Sequence, residues 1–518
     1  MRQLRIIAAA IVLGTFPATL SAQEATTYER EATFLENTVP PSPEPASIVK
    51  YADVPFNHSS GMAEYEVPFY TLKGRELSIP IGLRYASSGI KLDEIAGVAG
   101  LGWTLQAGGC ITRTVVDMPD EYSSHIFEHR MPSGALLDSL VNRVEDSQSL
   151  SYLTGALRHT IDASLDRYSY SVCGLSGSFV INDDGSIFQL SGDGVLISYT
   201  RASDGSVDAF TVTGPDGTVY TFSEKEIATH KGSGITPPPP TGGEPDRWSA
   251  TTAWHLTTVR SRSGLETAQF SYSSPTEWLS RIRSIRRTVA VTSGGSGAAP
   301  TTDLSTHHIL KSHNVKVLTS ISLNGTTATL SYSGYCGNVT RTNRTDISNF
   351  PYRLTEISIS TEGKSSELAR MEVQTQRDGY DGRIILNGLR LYRDGTLDDK
   401  WEFTYRGVGT NVSTGSQDWY GFYNGENEFT DDGTHGLCPF EYDVAMHSLD
   451  LTNGFPASEY ADYMSLTSVN HDGAVTNFIY EGSTYGSENE TYSIGVRVKD
   501  ISLKGDLLAA RVRHFTYE

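Results

Sequence analysis

Between Pro41 and Asp117 short runs of alternating apolar and polar residues are broken by five glycines in the thirteen residues GVAGLGWTLQAGG. Alternation interrupted that often cannot run on as helix; it builds tightly turned, close-packed sheet. In Leu77-Ser78-Ile79-Pro80-Ile81-Gly82-Leu83-Arg84-Tyr85, the residues Leu77, Ile79, Ile81, Leu83 and Tyr85 share one face of a strand. Pro80 then belongs at an edge or a bulge, since it cannot donate to a ladder. Gly97, Gly100 and Gly102 lead into Trp103-Thr104-Leu105. Gly108-Gly109 is expected to turn the chain back into Ile111–Val115, giving a hairpin anchored by Trp103.

Hairpin turn signals punctuate the rest. Asp-Gly occurs with Asp at 184, 193, 204, 216, 378, 381, 394, 432 and 472, and Asn-Gly with Asn at 324, 387, 424 and 453. Flanked by apolar alternation, as in Phe179–Ile181 and Ile187–Leu190 around Asp184-Gly185, these dipeptides predict two-residue hairpin loops. The second half repeats a unit. Leu256-Thr257-x-Val259 is answered by Phe270-x-Tyr272, Leu318-Thr319-x-Ile321 by Leu330-x-Tyr332, and Leu466-Thr467-x-Val469 by Phe478-x-Tyr480. Degenerate copies are Leu354-Thr355-x-Ile357 with Met371-x-Val373, Leu391 with Phe403-x-Tyr405, and Val498-x-x-Ile501 with Phe515-x-Tyr517. A single hairpin is hardly stable alone, so successive units are expected to pair edge to edge in an extended or spiralling sheet. Its last strand, Val512–Tyr517, then needs a neighbour.

The segments PSPEPASIVKYADVPFNHSSGMAEYEVPFYTL and LSIPIGLRYASSGIKLDEIAGVAGLGWTLQAGGCITR resemble the amino-terminal region of secreted RHS/YD-repeat proteins, related to the B-type shell of insecticidal toxin complexes. GLSGSFVINDDG (174–185), TVTGPDGTVYTF (211–222), ATTAWHLTTVRSRSG (250–264), QDWYGFYNGEN (417–427) and IGVRVKDISL (494–503) follow in the same order. The resemblance implies a β scaffold without enzymatic activity, completed by a protein partner or companion chain and linked to toxin encapsulation, interbacterial competition or surface interaction. Tyr380-Asp381 and Tyr442-Asp443 lack the spaced Gly-Arg context of YD repeats, a departure from a complete enclosing shell.

Residues 1–22 carry Arg2 and Arg5, an apolar run from Ile6 to about Phe16 and the small residues Ser21 and Ala22, the pattern of a cleavable secretory signal. The run is shorter than the ~20 residues that span a bilayer. Export places the mature chain outside the inner membrane, extracellular, at the cell surface or periplasmic, with no membrane-spanning segment after cleavage. Taking Arg2 and Arg5 from 41 basic residues leaves 39 against 61 acidic ones, a net charge of −22. That balance argues against nucleic acid as a partner, because phosphate binding rests on Lys and Arg. The four cysteines, Cys110, Cys173, Cys336 and Cys438, are too few and too spread for a disulfide scaffold, and burial as small hydrophobes suits them.

The expected organisation is a signal peptide at 1–22, a flexible segment at 23–40, an N-terminal β domain at 41–230, a Pro/Gly-rich linker at 231–247 and a hairpin-repeat β domain at 248–518. The class is all-β and antiparallel. A short helical insertion at about 120–166 contains Ala135–Val144, whose Leu136, Leu137, Leu140, Val141 and Val144 form one face expected to pack on the sheet.

Chemistry is sparse. Gly100-Leu101-Gly102 lacks the third glycine and the following helix of a dinucleotide loop. His307, His308 and His313 read as loop histidines, and His435-x-x-Cys438 near Asp431 and Asp432 as a turn; neither makes a metal site, and no cofactor is expected. The densest aromatic segment, Gln417–Gly425, offers Trp419, Tyr420 and Tyr423. Exposed, these rings would stack on a surface glycan or anchor a protein. Buried, they would cap the sheet, with Asp418 accepting backbone N–H groups beside the turn. The alternative to the scaffold is a carbohydrate-binding module or glycan-active enzyme of the cell envelope. An enzyme requires a cleft with convergent carboxylates of shifted pKa, and a binding module requires the Trp419 cluster to be exposed.

Overall fold

The computed structural model describes Thr38–Val39 and residues 61–516 except 93, 95, 117, 122–127, 130, 144–145, 158–159, 193, 234–246, 274–276, 289–302, 335–351, 364–366, 378–382, 411, 413–417, 419, 426–440, 444–447, 451–456, 458, 488–489 and 506–507. The expected signal peptide, Cys336, Cys438, His435, Asp431 and Asp432 lie outside the described residues, as does Trp419. The described residues of 61–285 and 305–516 make one compact unit.

The chain is all-β and antiparallel with a short helical insertion. After β1 (Thr38–Val39), an antiparallel sheet of three strands forms from β2 (Ala63–Lys73), β3 (Ser78–Ser87) and β4 (Trp103–Gln106). Ile79, Ile81, Leu83 and Tyr85 of β3, with Leu77 just before it, are all buried, as the alternation requires. Pro80 lies in the part of β3 that pairs only with β2, beyond the stretch Gly82–Tyr85 that also pairs with β4.

The expected hairpin across Gly108-Gly109 does not form. β4 pairs with β3, whereas β5 (Gly109–Val116) enters a second sheet of 22 strands. The glycines move the chain between sheets instead of folding it back: Gly108 sits at φ +88°, and a Cβ on Gly109 would come within 2.7 Å of Ser171 O. The insertion then comprises β6 (Glu128–His129), α1 (Gly134–Val141), α2 (Ser147–Leu157) and β7 (Ile161–Asp162), with β6 and β7 paired in parallel. No residue of α1 is buried and Val141 is 65% exposed, so the apolar face expected to pack on the sheet does not reach a core. At eight residues the helix is too short for the expected face through Val144, and α2 was not legible from the pattern.

The large sheet continues with β8 (Arg167–Val172), β9 (Leu175–Ile181), β10 (Ile187–Gly192), β11 (Leu196–Arg201), β12 (Val207–Thr213), β13 (Val219–Ser233), β14 (Arg247–Arg260), β15 (Thr267–Ser273), β16 (Glu277–Thr288), β17 (Asp303–Asn314), β18 (Val317–Leu323), β19 (Thr326–Gly334), β20 (Tyr352–Thr361), β21 (Ala369–Arg377), β22 (Ile384–Arg393) and β23 (Thr396–Tyr405). A separate pair, β24 (Glu441–Asp443) and β25 (Ser448–Asp450), precedes β26 (Leu466–His471), β27 (Ala474–Ser487), β28 (Glu490–Gly505) and β29 (Leu508–His514). β13 and β14 pair directly on either side of the expected 231–247 linker, from Val219↔Arg260 to Lys231↔Arg247, so the sheet runs through that boundary.

Three Asp-Gly turns share one construction. Asp184, Asp204 and Asp216 each accept the backbone N–H two residues on, at 2.8, 3.0 and 2.9 Å, with the intervening glycine at positive φ. Asn387-Gly388 is different: it lies inside β22 and makes no turn.

The repeated motif has a physical basis in the ladder. Where each Leu-Thr-x-Ile/Val strand meets the preceding one, one residue is left out of the pairing: Thr257, Thr319, Thr355 and Thr467. Each of these bulged threonines donates its hydroxyl to a carbonyl of the neighbouring strand at 3.0 Å, that of Thr221, Ser271, Ser331 and Thr404 respectively. The tyrosine of the answering strand donates back to the leucine carbonyl: Tyr272 to Leu256 at 2.8 Å, Tyr332 to Leu318 at 2.7 Å and Tyr480 to Leu466 at 2.5 Å. Bulges bend and twist a ladder, and here they recur in step. The unit ending in Tyr405 begins at Leu386, not at Leu391, because Tyr405 donates to Leu386 O at 2.6 Å and Asn387 is the bulged residue.

Residues 61–103 are hydrogen-bonded along these strands. Leu101 N–H donates to Ile384 O at 2.9 Å, Leu354 N–H to Val98 O at 2.9 Å, Leu466 N–H to the Tyr85 hydroxyl at 3.0 Å and Val496 N–H to Ser88 O at 2.8 Å. Gly100, at φ +109°, makes that approach feasible: a Cβ there would lie 2.8 Å from Leu386 N.

Candidate functional site: a histidine–carboxylate cleft

The segment Met118–Glu121 leaves β5 and is pinned by Asp166, the residue before β8. Asp166 is fully buried and accepts from Arg113 Nε at 2.6 Å, Val116 N–H at 2.8 Å and Asp120 N–H at 3.2 Å. In return Asp166 N–H donates to both oxygens of Asp120, at 3.1 and 3.3 Å. Arg113 is itself buried and makes a two-pronged contact with Glu121, Nη1 to Oε1 at 2.9 Å and Nη2 to Oε2 at 2.5 Å. Buried charges need this degree of pairing to be tolerated.

The two-residue parallel pairing of β6 with β7 sets His129 opposite Asp162. Its Nδ1 stands 3.5 Å from Asp162 Oδ2 and 3.8 Å from Asp120 Oδ1, while Nε2 lies 3.1 Å from Asp183 Oδ1 in the β9–β10 turn. Asp162 Oδ1 accepts the N–H of Ser164 at 3.0 Å. Asp120, His129 and Asp183 open on a cleft of about 610 Å³ also lined by Tyr168 and Arg201, with Asp162 buried behind His129.

Burial foremost, and then the charge of Asp166, push the Asp120 carboxyl upward; Arg113 and His129 oppose the shift. Burial lowers the His129 imidazole, but Asp162 and Asp120 outweigh it and hold it at about 9. Glu121 goes the other way: its burial is overcome by the Arg113 guanidinium, and its carboxyl falls below the ordinary glutamate range. The site can hold protons or a cation between fixed carboxylates.

None of these residues stands out in the sequence. Asp120, His129 and Asp162 come from a region read as a helical insertion, with no motif spacing among them. A two-residue parallel pairing across two helices leaves no periodic signal.

The expected aromatic site is arranged differently. Trp419 lies outside the described residues, Tyr420 is half-buried, and Tyr423 is buried against Tyr460 and Tyr463, with ring centroids at 5.6 and 5.2 Å. Tyr423 is therefore not an exposed stacking platform. Asp418 is buried and its Oδ1 accepts the N–H groups of Tyr420 and Phe422 at 2.8 and 2.9 Å, closing the turn. Burial raises its pKa, against those donors. His307, His308 and His313 fall on or at the end of β17, a strand and not a loop.

No family model matches the chain, and no curated protein matches it. Among solved structures it is similar to a porin-like protein from Bacteroides uniformis ATCC 8492, at 14% identity over 68% of this chain and 85% of that one, with a TM-score of 0.18. A likeness at that score carries no argument about fold or function. Among the described residues no helix is long and apolar enough to cross a membrane.

Proposed function

We propose that this chain is an exported β scaffold, resembling the front part of an RHS/YD-repeat protein, that works by binding a protein partner or companion chain. The observation that supports this reading is an apolar surface on two successive strands of the large sheet. Phe188 and Leu190 of β10 and Leu196 of β11 are 58%, 47% and 72% exposed. Large apolar groups left in water on neighbouring strands mark contact sites. Inward-directed aromatics such as Trp103, Trp254 and Tyr423 leave the sheet's interior to packing. A role in toxin encapsulation, competition or surface interaction belongs to the same proposal.

The test is co-expression with the product of the adjacent reading frame, followed by size-exclusion chromatography with light scattering. A stable complex that Phe188→Asp with Leu196→Asp dissolves, while the circular dichroism of the free chain is unchanged, supports the scaffold. Turnover or retention of envelope glycans by the purified chain, lost in Asp162→Asn, supports the glycan-directed alternative and overturns the scaffold.

A further inference from the structure

We propose that His129, Asp120 and Asp162 form a binding site for a first-row divalent metal ion of the zinc class, opening on the cleft. The three donor atoms lie within 4.8 Å of one another. His129 Nδ1 is buried and makes no hydrogen bond, and the side chain is only 10% exposed. Its distances to the two carboxylates, 3.5 and 3.8 Å, are too long for hydrogen bonds. They do suit ligands sharing a metal. A tetrahedral zinc with bonds of about 2.0–2.2 Å holds neighbouring ligand atoms about 3.3–3.6 Å apart. The Asp162 separation falls within that edge, and the Asp120 separation lies about 0.2 Å beyond it.

The surroundings orient each ligand. Asp183 takes the Nε2 side of the ring, which leaves Nδ1 facing the two aspartates, where a metal ion would displace its proton. Asp162 Oδ1 accepts the Ser164 N–H while its Oδ2 stands 3.5 Å from Nδ1, and Asp166 N–H fixes the Asp120 carboxylate. A carboxylate behind a ligating imidazole is the usual outer-shell partner in such sites. One imidazole and two carboxylates suit zinc, manganese or iron(II) better than calcium, which takes six to eight oxygens. Three protein ligands leave a fourth coordination position, and two of the three, Asp120 and His129, line the cleft. This inference goes beyond the scaffold reading and does not depend on it.

A second grouping, Asp399, His471 and Asp472, provides the internal control. There His471 Nε2 is engaged with Asp399 at 3.1 Å, its side chain is 40% exposed, and its ring stacks on Trp401 at 4.5 Å. His471→Ala should leave metal uptake unchanged.

The experiment is calorimetric titration of zinc chloride, with manganese and calcium chloride for comparison, into the full chain freed of metal by chelator and dialysis. A single equivalent of zinc should bind, and calcium should not compete. His129→Ala should abolish uptake, and Asp183→Asn should weaken it about tenfold to a hundredfold through the outer shell. Near-ultraviolet circular dichroism of the metal-free variants checks folding. If His129→Ala fails to fold, cobalt(II) titrated into the unaltered chain gives an independent readout, because tetrahedral coordination produces intense visible absorption. Absence of stoichiometric zinc uptake by the unaltered chain overturns the proposal. So does undiminished uptake in a folded His129→Ala or Asp162→Asn chain, or cobalt binding that stays pale and octahedral.

Discussion

Trp103 shows how one residue fastens two parts of the fold. Its indole N–H donates to the Tyr405 hydroxyl at 2.7 Å, which donates in turn to Leu386 O at 2.6 Å, and its ring packs on Phe403 at 4.7 Å. Trp103→Ala should cost about 3–5 kcal/mol, the range for large aromatic deletions in cores, in denaturant unfolding. A loss below about 1 kcal/mol would place the ring at the surface. Glu266 is the corresponding charged fastener. Its carboxylate accepts the backbone N–H groups of Arg75 and Glu76 at 2.7 Å each and of Leu77 at 3.0 Å, and Asn324 Nδ2 at 2.7 Å. The Arg75 and Glu76 donors, foremost, hold its pKa down at about 2, from an ordinary value of 4.5. A depressed acid stabilises the fold above its unfolded pKa and loses that contribution as pH falls through the folded one. The stability gap between the unaltered chain and Glu266→Gln should therefore be full at pH 7 and close between about pH 4.5 and 2, read by thermal melting. Trp103 was legible because glycines on both sides mark a close approach. Glu266 was not, because its donors come from turns 190 residues before it and 58 after it.

At the scale of elements, the Leu-Thr-x-Ile/Val and Phe-x-Tyr pairs were legible as a repeat, but their purpose was not. Alternation explains the apolar positions; only the ladder shows that the threonine is the residue left unpaired and that the tyrosine caps the leucine carbonyl. Asn387-Gly388 shows the limit of the turn signal, since the same dipeptide that closes a hairpin at Asn324-Gly325 serves as a bulge within β22. Tyr332→Phe removes one donor from Leu318 O and should cost about 1 kcal/mol, the net value of a hydrogen bond. Thr319→Val should cost a similar amount through the Ser271 carbonyl. Urea titration of both variants checks this; if neither moves the midpoint, the bulges are held by apolar packing alone. The helical insertion could be read from the sequence, but its histidine–carboxylate site could not, because it is assembled by two-residue strands too short for any period.

Across the whole molecule, the residues before and after the Pro/Gly-rich stretch are interlocked. β13 pairs with β14 through twelve registered positions, and β5 pairs with β14 at Ala253–His255. Residues 61–103 occupy hydrogen-bonding positions against 354, 384, 466 and 496. A fragment comprising 248–518 alone should therefore lack cooperative melting and bind hydrophobic dyes, whereas adding residues 61–230 in trans should restore part of its amide protection. A sharp, dye-free thermal transition of the fragment would show that its strands close without the earlier segment. The all-β class and the edge-to-edge pairing could be read from alternation and turn dipeptides. The interlocking could not, because it depends on backbone contacts between segments without complementary sequence patterns.

The hydrogen bonds that Leu101 donates and that Tyr85, Ser88 and Val98 accept also set an order in time. A ribosome makes these residues first, and their partners at Leu354, Ile384, Leu466 and Val496 follow hundreds of residues later. Long-range pairing of this kind is slow, since loop closure precedes any contact that rewards it. Until those partners are made, the β2–β3–β4 sheet can pair within itself, but these four positions lack the neighbours they meet in the fold.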